Sequence, residues 1–232
     1  MNRVKQIQED ILKGDIKPIY FLMGEEPYYI DRITDIIEKD VLKEEEKGFN
    51  QLVLYGRDVS VDEIVSHAKR YPMMAERQVV IVKEAQHLSR NIEDLASYAE
   101  NPQPSTVLVI GYKYKTLDKR KKLAKIIGKH GVLFESKKLY ENQVPDWIDY
   151  VLNEKNYSIQ AKAAQMLVEF LGADLAKISN ELDNQYRLII QNTSGNKMDY
   201  YLKRELKLET LSCGAKPQTK VTFILTNVAS KS

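Results

Sequence analysis

A single cysteine, Cys213, occurs among the 232 residues. No disulfide can close within the chain, and a reducing cytoplasm is the expected setting. Long apolar runs are also missing: the longest reach five or six residues, as around Thr106–Ile110, against the roughly 20 that a membrane helix needs. The opening Met-Asn-Arg-Val-Lys leads into a polar amphipathic segment rather than the apolar stretch of a signal peptide. The three histidines, His67, His87 and His130, are scattered with no cysteine beside them, so metal-ligand spacing is absent. Each reads as a surface or boundary residue. No motif places a His or Asp with Cys213, and Ser60 and Ser158 read as helix caps, so neither a nucleophile nor a cofactor is implied.

What remains is ordinary globular material, 43% hydrophobic and 29% charged, long enough for one large or two modest domains. The net charge of +2 conceals an asymmetry. Residues 1–50 carry eight Lys/Arg against twelve Asp/Glu, whereas residues 112–138 carry ten against two. Such a basic block attracts polyanions, and it serves equally as a solvated helix face.

Short apolar runs alternate with helix-period segments up to about residue 136. Ile19–Met23 is a buried strand closed by Gly24, and Pro27 opens a helix with Tyr29, Ile30, Ile33, Ile36, Ile37 and Val41 at helical spacing. Leu52–Tyr55 is a second strand, stopped by Gly56. Ser60 and Glu63 form a capping box for a helix that buries Val61, Ile64, Val65 and Ala68 and ends near Pro72. Gln78–Val82, Thr106–Ile110 (ended by Gly111) and Val132–Phe134 are three more strands, with helices expected around Ile92–Tyr98 and over Leu117–Ile127. Continuous β-branched runs separated by helices predict a five-stranded parallel sheet covered on both faces, spanning residues 1–138.

Three short helices without a strand are expected over 139–185. The first starts at Pro145 and turns Trp147, Ile148, Val151 and Leu152 inward. The second is capped by Ser158, with Ala161, Ala164, Met166, Leu167 and Phe170 inward. Asp174 caps the third, with Leu175, Ile178 and Leu182 inward. From Tyr186 to Ser232 only Val221–Leu225 is patterned, as a strand or an apolar tail.

The turn after the first strand of such a sheet is the usual seat of a phosphate-binding loop, which needs converging backbone N–H groups, a lysine and a Ser/Thr. Here it reads Gly24-Glu25-Glu26-Pro27, with one glycine, two carboxylates that repel phosphate and a proline that lacks an N–H. The third strand ends in Lys83 beside a lone Glu84, where magnesium would require acids. Nucleotide hydrolysis is not expected. Just before that strand, Met73 and Met74 occupy a position where a polar loop is anticipated. They either pack inward beneath the helix that Pro72 terminates or form a sticky loop for a partner protein.

Three stretches, in their order and spacing, resemble the delta subunit of the bacterial DNA polymerase III clamp loader. They are Pro18-Ile-Tyr-Phe-Leu-Met-Gly-Glu-Glu-Pro-Tyr28, Tyr71-Pro-Met-Met-Ala-Glu-Arg-Gln-Val-Val80 and Gly172-Ala-Asp-Leu-Ala-Lys-Ile-Ser-Asn-Glu-Leu182, and the resemblance covers roughly residues 1–184. It implies an AAA+-like (RecA-like) domain without working nucleotide motifs, then a small helical lid domain. It also implies a non-catalytic subunit of the polymerase holoenzyme that binds and opens the ring-shaped beta sliding clamp for loading on primed DNA in replication. The family does this by inserting two adjacent hydrophobic residues into a pocket on the clamp. The pair falls on Met73 and Met74, where other members often carry leucine and phenylalanine. Methionine, being unbranched, adapts to irregular apolar pockets. Arg70, Tyr71 and Arg77 are then candidate rim contacts, and Lys113, Lys115, Lys119 and Arg120 candidate contacts to DNA phosphate.

The partners implied are the clamp, the clamp-loader ATPase (gamma/tau) and delta-prime subunits, and primed DNA, with no membrane. The family continues past the lid into a helical collar domain that holds the five-subunit loader together, and residues 186–232 do not look like it. The expectation is a truncated or divergent tail on a chain that grips a clamp but joins a loader weakly or not at all. Two other readings stay open: a general nucleic-acid-binding protein using the 112–138 block, and a nucleotide-dependent phosphotransferase with an unfamiliar phosphate loop.

Overall fold

The computed structural model describes residues 2–155, 157–191, 202–211 and 218–227, and the chain divides into two compact units, Met1–Lys138 and Leu139–Ser232. In the first, α1 (Asn2–Leu12) is followed by β1 (Ile19–Gly24), α2 (Pro27–Asp40), α3 (Glu44–Asn50), β2 (Gln51–Tyr55) and α4 (Val61–Ala68). Then come β3 (Gln78–Lys83), α5 (Ala96–Glu100), β4 (Thr106–Lys113), α6 (Lys122–His130) and β5 (Val132–Ser136). All five strands pair in parallel, in the order β2-β3-β4-β1-β5. The expected five-stranded parallel sheet is present.

Its central strands are apolar through their middle, over Val79–Val82, Val107–Ile110 and Ile19–Met23, because both faces are covered there. Ile19, Phe21 and Met23 of β1 join Val80, Val82, Leu108 and Ile110 in one core with Ile64 of α4 and Leu123 and Ile127 of α6. The alternate residues Tyr20 and Leu22 are equally buried, and side-chain alternation turns them to the other face, which α2 covers. Each such side chain contributes about 1.5–3 kcal/mol by leaving water.

The sheet and the Ser60–Glu63 box follow the sequence pattern, and four details do not. Strand β4 runs through Gly111 to Lys113, because Gly111 pairs with Leu22 and Lys113 with Gly24. The helix expected over Leu117–Ile127 begins only at Lys122. Buried Leu117 is a loop anchor whose N–H points at the Met23 sulfur, 3.1 Å away, and a turn between Asp118 and Arg120 delays the helix. In place of one helix around Ile92–Tyr98, a 3₁₀ turn at Ile92–Leu95 leads into α5. Helix α3 was not expected. Its three opening glutamates favour the positive helix end, and Glu46 accepts the Lys43 N–H at 3.1 Å.

The second unit holds α7 (Val144–Glu154), α8 (Ala161–Leu171) and α9 (Leu175–Gln191), with a hairpin of antiparallel strands β6 (Leu202–Leu211) and β7 (Gln218–Asn227). Helix α7 buries Trp147, Ile148, Val151 and Leu152 as expected. Asp174 caps α9 by accepting the Lys177 N–H at 3.0 Å. Helix α8 differs: Gln160, not Ser158, holds the cap position. Its buried stripe is Ala163, Ala164, Leu167 and Val168, leaving Ala161 and Phe170 exposed. Phe170 sits on one flank of that stripe, three residues after Leu167, and is 52% exposed, whereas Val168 on the other flank is buried. Helix α9 continues past Tyr186, and Val221–Leu225 lies within β7, whose partner β6 was not expected. Cys213 lies outside the described residues.

Candidate functional site

The segment between α4 and β3 lies at the end of the sheet where the parallel strands begin. Its root is stiff. At the far end of the preceding helix, Ser60 Oγ accepts the Glu63 N–H (3.3 Å) and Glu63 accepts the Ser60 N–H (2.7 Å), fixing where α4 begins. Beyond the helix, the buried Gln78 carboxamide shares its two N–H groups among three acceptors, the Arg70 and His67 carbonyls and Thr106 Oγ1 (2.7 Å). It thereby ties the exit of α4 to β4. The Tyr98 hydroxyl donates to the Ala68 carbonyl at 3.3 Å. Pro72 pushes Tyr71 out of helical geometry, so the chain leaves the helix rather than extending it.

A second clamp holds the loop farther out. The β2–β3 register pairs Gln51 with Val79, which sets Asn50, the last residue of α3, alongside Gln78. Asn50 is 4% exposed. Its Oδ1 accepts the Met73 N–H at 2.6 Å, and its Nδ2 donates to the Met73 carbonyl at 2.9 Å and to the Glu46 carbonyl at 3.1 Å.

Held at this point, the loop turns its apolar side chains outward. Tyr71 is 79% exposed, Met73 62%, and Met74 completely. Met74 also adopts a left-handed backbone with φ 53°, which costs an L-residue about 1–2 kcal/mol. The inward-packing alternative therefore does not describe these methionines. Arg70 is exposed beside them and Arg77 is half-buried. Phe49, the residue before Asn50, is 78% exposed. Neither Phe49 nor Asn50 was singled out from sequence, since no motif marks a contact spanning 23 positions.

The opposite end of the sheet, where strands finish, is filled by the chain itself. Gly24 donates its N–H to the Lys115 carbonyl (3.0 Å) and Glu25 to the Ser136 carbonyl (3.2 Å), the two amides a phosphate loop would aim at phosphate. Buried Glu26 caps α2 by accepting the Tyr28 N–H at 3.1 Å. Lys83 is ion-paired with Glu38 at 3.1 Å. Of the basic residues proposed for DNA, Lys113 pairs with Asp31 (2.7 Å), Lys119 with Glu135 (2.6 Å) and Arg120 with Asp118 (2.8 Å), while Lys115 donates to Ser89 Oγ at 2.8 Å. They lie on the end of β4 and the loop after it, not on one helix face. Asp118 is held well below the usual carboxylate range by hydrogen bonds from the Arg120 side chain and backbone. Among the described residues no three metal-ligating side chains cluster, and no helix is long and apolar enough to cross a membrane.

A family model described as DNA polymerase III, delta subunit, matches residues 20–137. The chain belongs to the DNA polymerase III delta subunit family. The match runs from the second residue of β1 to the residue after β5 and takes in the loops at both ends of the five-stranded sheet. Over 188 residues the chain is 30% identical to the DNA polymerase III subunit delta of Bacillus subtilis (strain 168), covering 77% of this chain and 54% of that one. It thus spans about half the length of the curated relative it matches. Among solved structures, the Bacillus subtilis DNA clamp loader delta protein (YqeN) aligns with a TM-score of 0.67 and 30% identity over 80% of this chain and 57% of that one.

Proposed function

We propose that this chain is a non-catalytic clamp-loader subunit that binds the beta sliding clamp through Met73 and Met74 and opens it for loading on primed DNA. The observation that carries the reading is Met74, an apolar side chain in full solvent on a left-handed backbone, at the tip of a loop anchored by buried amides. Strained backbone persists where the surroundings over-determine it, and such positions concentrate at ligand clamps and switches. Arg70 and Tyr71 form the rim beside the methionine pair. Residues 1–138 serve as an α/β domain with degenerate nucleotide motifs and 139–185 as the lid.

The clamp-loader ATPase and delta-prime subunits are the further partners this reading entails, in the cytoplasm. Contacts to DNA phosphate fall to Lys113, Lys115, Lys119 and Arg120. Three of these already have acidic partners, so phosphate must compete with them, and the DNA contribution is the weaker part of the reading.

The test is equilibrium binding to the sliding clamp by wild type and by the Met73→Ala/Met74→Ala chain. Burying a methionine is worth roughly 1.5–3 kcal/mol as an upper bound, so the double variant should bind about a hundredfold more weakly with unchanged thermal stability. Wild-type affinity in the double variant would remove the assigned site.

A further inference from the structure

We infer that Asn50 is the positioning residue of the methionine pair, acting from α3 through the backbone of Met73; the inference rests on the reading of Met73 and Met74 as the clamp-binding side chains. The geometry is specific to a carboxamide. Met73 offers one donor and one acceptor to the same side chain, and Asn50 answers both, at 2.6 Å and 2.9 Å. The same amide nitrogen donates to the Glu46 carbonyl at 3.1 Å, so the side chain is fixed to its own helix while it holds the loop. That third bond also determines which way the amide points, because only nitrogen can donate to two carbonyls.

Aspartate in this place would keep an acceptor for the Met73 N–H but set a carboxylate against two carbonyl oxygens. Glutamine carries an extra methylene that the buried site has to accommodate. Alanine leaves both Met73 groups without the partner they now have. The next residue is Met74, whose left-handed φ of 53° needs outside constraint to persist. With the Met73 peptide groups fixed by Asn50 and the Arg70 carbonyl held by Gln78, the direction of the Met74 side chain is set before any partner arrives. Ordering of the loop is then completed on folding rather than on binding, which raises affinity without adding a contact.

The experiment uses the full chain and the sliding clamp, with variants Asn50→Ala, Asn50→Ser, Asn50→Asp, Met73→Ala/Met74→Ala, and Asn50→Ala combined with the double-methionine change. Hydrogen exchange of residues 71–76 reports the loop directly, and clamp dissociation constants report its use. We expect Asn50→Ala to speed exchange in this segment and weaken clamp binding about tenfold, the loss of one or two net hydrogen bonds. On the double-methionine background it should add no further loss, a non-additivity that a merely structural role would not produce. Asn50→Ser, which is small, uncharged and too short to bridge both Met73 groups, supplies the answer where the alanine chain does not fold, and Asn50→Asp should speed exchange and weaken binding at least as much as alanine.

Unchanged exchange, or clamp binding within twofold of wild type for the folded Asn50 variants while the methionine variant fails to bind, overturns this inference alone. Wild-type binding by the double-methionine variant overturns the site reading and this inference with it.

Discussion

The two ends of one parallel sheet treat their polar groups in opposite ways. Where the strands finish, Gly24 and Glu25 donate to protein carbonyls, Lys83 faces Glu38, and Lys113, Lys119 and Arg120 each face an acid. Ligands of open α/β sheets bind in the crevice at that end, and here its hydrogen-bonding capacity is turned inward. Where the strands begin, the polar satisfaction is just as thorough, through Asn50 and Gln78. Its effect is reversed, because those amides hold a loop whose apolar side chains are left outside. One end of the sheet is closed by its own polar groups and the other leaves apolar side chains in water, and the proposed clamp contact rests on that contrast.

The sharpest way to break this contrast is Gly24→Ala. Gly24 has φ +126°, and a Cβ there would lie 2.0 Å from the Ser136 carbonyl oxygen, a backbone atom that cannot swing aside. Left-handed strain and overpacking together should cost about 3 kcal/mol, read as a lowered urea midpoint with an unchanged slope. A near-neutral result would mean that this end of the sheet has room, and the closed-edge description would fall.

Much of this contrast could be read from the chain beforehand, and the part that could not has a physical reason. Apolar runs such as Ile19–Met23 and Gln78–Val82 announce buried parallel strands, and a turn carrying Glu25, Glu26 and Pro27 announces a poor phosphate site. Met73 and Met74 stood out because apolar residues are uncommon in a loop. What stayed hidden depends on distant partners. Asn50 to Met73 crosses 23 positions, and α3, of seven residues, is too short for a period to show. Leu117 was misplaced into a helix because its apolar character fits a helical stripe as well as a loop anchor that meets Met23. In the second unit, hydrophobicity alone does not say which flank of the α8 stripe the core covers: Val168 is buried and Phe170 exposed.

A smaller effect separates the loop's backbone from its side chain. Met74→Gly removes the left-handed penalty and the exposed thioether together. Relief of about 1–2 kcal/mol is offset by glycine's extra freedom in the unfolded chain, leaving the fold as stable or up to about 1 kcal/mol more so. Clamp affinity should nevertheless fall about tenfold, within the value of one buried methionine. Stability and binding moving in opposite directions is the signature of a residue kept for its partner. If both fall together, Met74 supports the fold, and the contrast between the two ends loses its open side.

The smallest expected effect tests whether the charges at the closed end are available at all. Asp118 accepts from the Arg120 backbone N–H at 3.0 Å and from Nη2 at 2.8 Å. These bonds hold its carboxyl well below the ordinary aspartate range. A carboxyl depressed in this way stays ionised above that range, and its pairing is lost only as pH falls through the still lower folded value. Acidifying from pH 8 to 5 should therefore not free Arg120 for phosphate, whereas Asp118→Asn at neutral pH should. The expected gain is about threefold in affinity for a primed oligonucleotide at low salt, with the log–log salt dependence steeper by about one, the value of one added phosphate contact. An identical slope in variant and wild type would take Arg120 out of any DNA path. A wild-type slope that drops by about one in each of Lys113→Ala and Lys119→Ala would show that the acidic partners yield readily, and that the closed end is open to a polyanion.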